Sequence, residues 1–167
     1  MPGLELELKP VDFLTVGTVG PRGKRVFYIQ GAKDRQLVSL IVEKVQVGAL
    51  AEAINELLSE LESSYPDLPP IPEIDLESYD LELRDPIQPE FRVSQIGLGY
   101  DEALDMIVLL TQELVPDDFD EALLQPSVVR FWATREQMRA LAMYAELVVE
   151  RGRPDPRKNG RIHYYWT

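Results

Sequence analysis

The sequence predicts an α+β fold of two layers: a mainly antiparallel sheet of about six strands with two helices on one face, built from a duplicated βββα unit. Three observations carry this reading. Two long segments repeat apolar residues at three- and four-residue steps, the pattern of a helix with one buried stripe. Each follows directly on a β-rich run, "VSLIVE" or "SVVRFWA". Both helical segments also open on glutamine-apolar-x-Ala-Leu-Ala, which sets Gln46 over Gln137 at a spacing of 91 residues.

The elements follow in order. "MPGLELELKP" is acidic and alternating, unlike a signal peptide. "VDFLTVGTVG" and "RVFYIQGA" flank a turn at Pro21 to Lys24 and read as a hairpin. After the polar turn "GAKD", residues 35–43 form a third strand. The first helix runs from about Val45 to Ser63, with Val47, Leu50, Ala51, Ile54, Leu57, Leu58 and Leu61 on its apolar side. "SSYPDLPPIPEI" then brings four prolines, which forbid a helix and mark a connector over residues 64–89.

The second half, about 90–151, echoes the first, about 11–63. "EFRVSQIGLGY" is a strand and "DEALD" a turn. "MIVLLTQELV" is either a strand or part of a helix beginning near Glu102; periodicity does not separate the two, and the repeat favours a hairpin over 90–113. "PDDFDEALLQP" is an acidic loop or a single helical turn, and residues 127–133 are a strand. Thr134 and Gln137 form a capping box for the second helix, and Gly152 stands past its end. Its stripe is Met138, Leu141, Ala142, Ala145, Val148 and Val149. "VGTVG" at 16–20 and "VSQIG" at 93–97 add a looser echo. Half a sheet cannot bury its own face, so a single domain over 1–167 with one shared core is expected.

Net charge is −12. The last seventeen residues carry five basic side chains against one aspartate, a balance of +4, which leaves −16 on the body. Such a body is repelled by phosphate backbones, so nucleic acid is not expected as a partner. No apolar run approaches the ~20 residues that cross a bilayer, so a cytoplasmic location without membrane contact is expected. The absence of cysteine and the single histidine, His163, exclude thiolate chemistry and a di-histidine metal site. No cofactor is expected.

Each candidate motif has a plainer reading that outweighs it. "GTVGPRGKR" has Thr18 where a phosphate-binding loop needs glycine, Arg25 after Lys24, and a strand where a helix should follow. It reads as a basic hairpin tip. Asp117, Asp118, Asp120 and Glu121 lack the glycine and distal glutamate of a calcium loop. Asp101, Glu102 and Asp105 cluster on a turn without an accompanying base. Ser39, Ser94 and Ser127 sit in strand contexts without a nucleophile elbow. Arg157, Lys158 and Arg161, beside Tyr164, Tyr165 and Trp166, suit docking on the acidic body or on a partner.

"VGTVGPRGKRVFYIQG", "VSLIVEKVQVGALAEAINELL", "FRVSQIGLGYDE" and "AELVVERGRP" together resemble an uncharacterised bacterial "repeat protein" family, domain of unknown function three-zero-nine-zero. The resemblance brings no biochemical activity. Its members tend to be encoded near histidine-phosphatase-like and kinase-like proteins, which implies an interaction role. Family members continue after Gly-Arg-Pro into a cysteine-bearing segment that resembles a zinc knuckle. Here Gly152 to Pro154 and Pro156, Arg157, Asn159 and Gly160 match, while every cysteine is missing. The resemblance therefore implies a function that does not depend on zinc.

The expected function is a non-catalytic protein-interaction or regulatory module. The alternative is an enzyme or enzyme subunit acting on a phosphorylated or small-molecule ligand. The candidate partner or anion contacts are Arg22, Lys24 and Arg25 on the hairpin, Glu43, Lys44 and Gln46 at the helix entry, and Arg157 and Lys158 in the tail.

Overall fold

Each β-branched run becomes a strand in the computed structural model, which describes residues 3–116 and 125–151. In chain order these residues form β1 (Glu5–Leu8), β2 (Phe13–Val19), β3 (Val26–Lys33), β4 (Gln36–Val42), α1 (Lys44–Ser64), a short 3-10 turn at Leu76–Ser78, β5 (Pro89–Asp101), β6 (Met106–Glu113), β7 (Val128–Thr134) and α2 (Arg135–Arg151). The apolar run after "DEALD" is thus a strand, reached through a turn in which Leu104 N–H bonds to the Asp101 carboxylate and Asp105 takes a φ of 49°.

The sheet corrects the expectation of about six, mainly antiparallel strands. Among the described residues it has seven, in the order β1-β7-β6-β5-β4-β3-β2, and it is mixed. β1 pairs parallel with β7 and β4 parallel with β5. The strand not expected is β1, from the stretch "LELEL". It is four residues long, and its partners lie at Val128 to Phe131, far beyond the reach of local signals.

Strand order and connection length together curl the sheet. β1 and β2 stand at opposite ends of the order, yet only residues 9–12 join them. Five Cα steps reach at most about 17 Å, whereas the edges of a flat seven-stranded sheet lie about 29 Å apart. The ends are instead drawn together: Val11 N–H bonds to Trp132 C=O in β7, and Asp12 N–H bonds to Ala32 C=O in β3, both at 2.8 Å. Phe131 of β7 lies over Gly31 of β3, where an added methyl would come within 2.5 Å of the ring. The interior holds Val16, Ile29, Leu40, Ile107, Leu109, Val129 and Phe131, and the buried stripes of both helices join them in one cluster.

Both helices start on the same device. Gln46 Oε1 accepts the Glu43 N–H and Gln137 Oε1 accepts the Thr134 N–H, each at 2.8 Å. The amide of Gln46 then reaches Val93 C=O in β5 at 3.2 Å, and that of Gln137 reaches Val11 C=O in the β1–β2 connection at 3.4 Å. The Thr134–Gln137 box expected from the sequence is present, with Thr134 Oγ1 accepting the Gln137 N–H at 3.0 Å.

The proline-rich connector folds back over the outer side of β2 and β3. Thr15, Gln30 and Ser39 are buried and lie in register across β2, β3 and β4. Gln30 uses its carboxamide as a strand would, accepting the Arg84 N–H at 2.7 Å and donating to Arg84 C=O at 2.9 Å, while a second amide hydrogen reaches Ser39 Oγ. Thr15 donates to Leu81 C=O, and the Arg84 guanidinium stacks on Phe13. A buried polar ladder is thereby satisfied, at the cost of ordering the connector.

Candidate functional site

The first alanines of the two Ala-Leu-Ala triplets meet different fates. Ala140 of α2 is buried, 1% exposed, while Ala49 of α1 is exposed. α2 closes over β2, where Leu14 and Val16 are buried. α1 stands off β5, where Ile96 and Leu98 are only half-buried. Small side chains permit the gap, since α1 offers Ala53 at the place in its helix where α2 offers Tyr144. The result is a groove of about 470 Å³ between Ala49, Ala53 and Leu57 on one wall and Ile96, Gly97 and Leu98 on the other. Glu56 and Glu60 line it too, and Gln46 and Ser94 mark one end.

Beyond that end lies a second cleft, also about 470 Å³. It brings together Arg25, Glu43 and Lys44, three of the residues singled out in the sequence, and adds Arg92 from β5. Arg92 Nη1 bonds to Glu43 Oε1 at 2.7 Å. Lys44 is buried, 6% exposed, at the first position of α1. Gln46 bonds to Val93 and Ser94, the residues that follow Arg92, and so ties the helix entry to β5. Arg22 and Lys24 stand exposed on the turn, which closes through Lys24 N–H to Pro21 C=O, and they do not line the cleft. Arg157, Lys158, His163 and the acidic group Asp117 to Glu121 lie outside the described residues. Arg92 carried no sequence signal of its own, because only the β4–β5 pairing brings it to the helix entry.

The head of α2 is built from the matching positions with different chemistry. Phe27 pairs with Val42, and Ile107 pairs with Ala133, in each case two residues before a helix. The residue just before β3 is Arg25 and the one just before β6 is Asp105. Arg135 opens α2 as Lys44 opens α1, and its guanidinium grips Asp105 through two bonds of 2.8 and 3.1 Å and reaches Pro69 C=O at 3.0 Å. Tyr100 donates to Asp105 at 2.8 Å. Arg135 holds the Asp105 carboxyl below the usual aspartate range, and burial with the Asp105 bond pushes the Tyr100 phenol up to about 12. The carboxylates of this turn therefore serve structure: Asp105 anchors α2 and Asp101 closes the turn.

The serines also have structural partners. Ser39 accepts from Gln30, Ser94 donates to Gln112 and Glu113 C=O, and Ser127 accepts the Leu4 N–H. Among the described residues, no group of three or more His, Cys, Asp or Glu is placed to hold a metal ion, and no helix is long and apolar enough to cross a membrane.

Residues 6–158 match the family described as "Protein of unknown function (DUF3090)", and the chain belongs to that family. No curated protein and no solved structure matches it.

Proposed function

We propose that this member of the family is a protein-interaction module without catalytic chemistry of its own, and that its α1–β5 groove receives a partner segment carrying basic side chains beside apolar ones. One observation carries the reading: the first alanine of the shared Ala-Leu-Ala triplet is buried in α2, as Ala140, and exposed in α1, as Ala49, while the other two residues are buried in both. An apolar trough of this size on a strongly charged body is the kind of surface a partner covers. Glu56 and Glu60 set the sign of the partner's charge. A duplicated unit underlies the comparison. It is supported by the matching glutamine caps and by the two parallel pairings, β1 with β7 and β4 with β5, each set beside an antiparallel hairpin. A single domain, a cytoplasmic location and the absence of nucleic-acid contact belong to the same reading.

The test is a photo-crosslinking residue placed at Ala53 in the native host. An adduct with a different protein is expected, formed through a basic segment of that protein and lost when Ala49→Glu fills the groove. An adduct with the chain's own tail, an adduct with a second copy, or no adduct overturns the proposal.

A further inference from the structure

We propose that the α1–β5 groove takes its partner as an extended peptide strand, hydrogen-bonded to the open backbone edge of β5, a mode of binding that rests on the reading of the groove as a partner site.

β5 is 13 residues long and outruns its neighbour β4. The last pairing between them joins Ile41 to Arg92, and β4 ends at Val42, where the chain turns into α1. From Gln95 to Asp101, β5 pairs with β6 on one side and, among the described residues, with no strand on the other. In an antiparallel pair every second residue turns its N–H and C=O away from the partner strand. Over about 20 Å those groups face the side on which β4 no longer runs.

α1 lies beside this edge and is tied to β5 at both ends. Gln46 bonds to Val93 and Ser94 C=O, and Tyr65, just past the last helical residue, packs its ring against Tyr100 with centroids 5.6 Å apart. Between the ties the groove opens, and its β5 wall is Ser94, Ile96, Gly97 and Leu98. Neighbouring residues of a strand point their side chains to opposite faces. A wall that takes in Ile96, Gly97 and Leu98 in succession is therefore the edge of the strand, with backbone lining the groove at Gly97.

Two features set this edge apart from a protected one. Exposed edges are ordinarily blunted by lysine, proline or short length, and the stretch from Ser94 to Tyr100 holds no charged residue and no proline. A glycine inside a strand weakens it and marks a place where another backbone approaches closely. The protein's own packing does not require Gly97, since an added Cβ there would meet only Leu110, at an ordinary 3.9 Å. The occupant follows from the walls. Alternate side chains of an added strand lie beside Ile96 and Leu98 and against Ala49 and Ala53, so they are apolar, while Glu56 and Glu60 call for basic residues among the others. The segment is thus one that alternates β-branched and basic residues and binds by strand addition.

The probe is an acetylated and amidated peptide of alternating valine and lysine, matched in length to the stretch from Gln95 to Asp101. Its controls are the same peptide N-methylated at alternate amides, in either phase, and a helical peptide of lysine, leucine and alanine. Binding and amide hydrogen exchange are followed by NMR on the isotope-labelled full chain. The alternating peptide is expected to bind saturably and to slow exchange at every second β5 amide between Gln95 and Asp101 at least about tenfold. N-methylation in one phase, and not in the other, is expected to weaken binding at least about tenfold. Ala53→Trp, which fills the groove from an exposed helix position, is expected to remove binding and leave the protein folded. No saturable binding of the alternating peptide, or equal affinity of both N-methylated forms, overturns the strand mode. Binding of the helical peptide alone, lost in Ala53→Trp, overturns the strand mode and leaves the groove a partner site, whereas no adduct from the crosslinking residue at Ala53 overturns the groove itself.

Discussion

The two helices of this protein open on the same glutamine-apolar-x-Ala-Leu-Ala pattern and meet their strands differently. α2 lies on β2 with Ala140, Leu14 and Val16 buried, while α1 leaves Ala49, Ile96 and Leu98 open to a groove. The helix heads diverge in the same way. Arg135 is closed off by Asp105 and Tyr100, whereas Lys44 shares its cleft with Arg25 and Arg92. The difference teaches that the same glutamine device fixes where each helix starts, and that the side chains further along decide how closely the helix seals against its strand. Tyr144 stands where α1 has Ala53, and Asp105 precedes β6 where Arg25 precedes β3.

The comparison is sharpest where one substitution is made on both sides. Ala140→Glu places a carboxylate in the sealed contact and is expected to cost about 4 kcal/mol or more, enough to unfold much of the population. Chemical denaturation reads it directly, and a cost near zero would mean that α2 is not sealed. Next in size is Asp105→Asn, which leaves a nearly buried guanidinium with a weakened partner and should cost about 1–3 kcal/mol.

That second effect also has a pH signature. Arg135 depresses the folded-state value of the Asp105 carboxyl, so its stabilisation is present above the ordinary aspartate range and is lost as pH falls through the lower, folded value. Urea midpoints taken from neutral to acid pH should therefore fall less steeply in Asp105→Asn than in the wild type. Parallel curves would remove Asp105 from the account.

Smaller still are the two caps. Gln46→Ala and Gln137→Ala should each cost about 1 kcal/mol, because each removes the same bond to a helix-entry N–H and a second bond to a distant backbone carbonyl, Val93 for Gln46 and Val11 for Gln137. If one were silent, the equivalence of the two halves would fail at its best-matched point. The smallest effect is expected from Ala49→Glu. On the open side it should change stability by no more than about 0.5 kcal/mol, which makes it a clean probe of the groove.

Much of this architecture was legible in the sequence, for reasons of range. The hairpin of β2 and β3, the stripes of α1 and α2, and the Thr134–Gln137 box rest on residues a few positions apart, where periodicity and capping chemistry act. The echo between halves also favoured a strand at Met106–Glu113 when its composition did not. β1 was not legible: "LELEL" reads as an acidic N-terminus until β7 supplies its partner. Arg92 was equally silent, since nothing near it in the chain marks it as a neighbour of Arg25 and Lys44.

By itself, then, the sequence determined the two helices with their buried stripes, the β2–β3 hairpin, β4 and β7, and the charge of the body, because each depends on short-range sterics, hydrogen bonding and composition. Only the tertiary structure decided that the sheet is mixed and curls until residues 11–12 bond to both β7 and β3, that the connector covers β2 and β3 through Gln30, and that α1 stands off β5. Those outcomes depend on pairing between distant segments and on the fit of side-chain volumes across them, which a one-dimensional pattern does not encode.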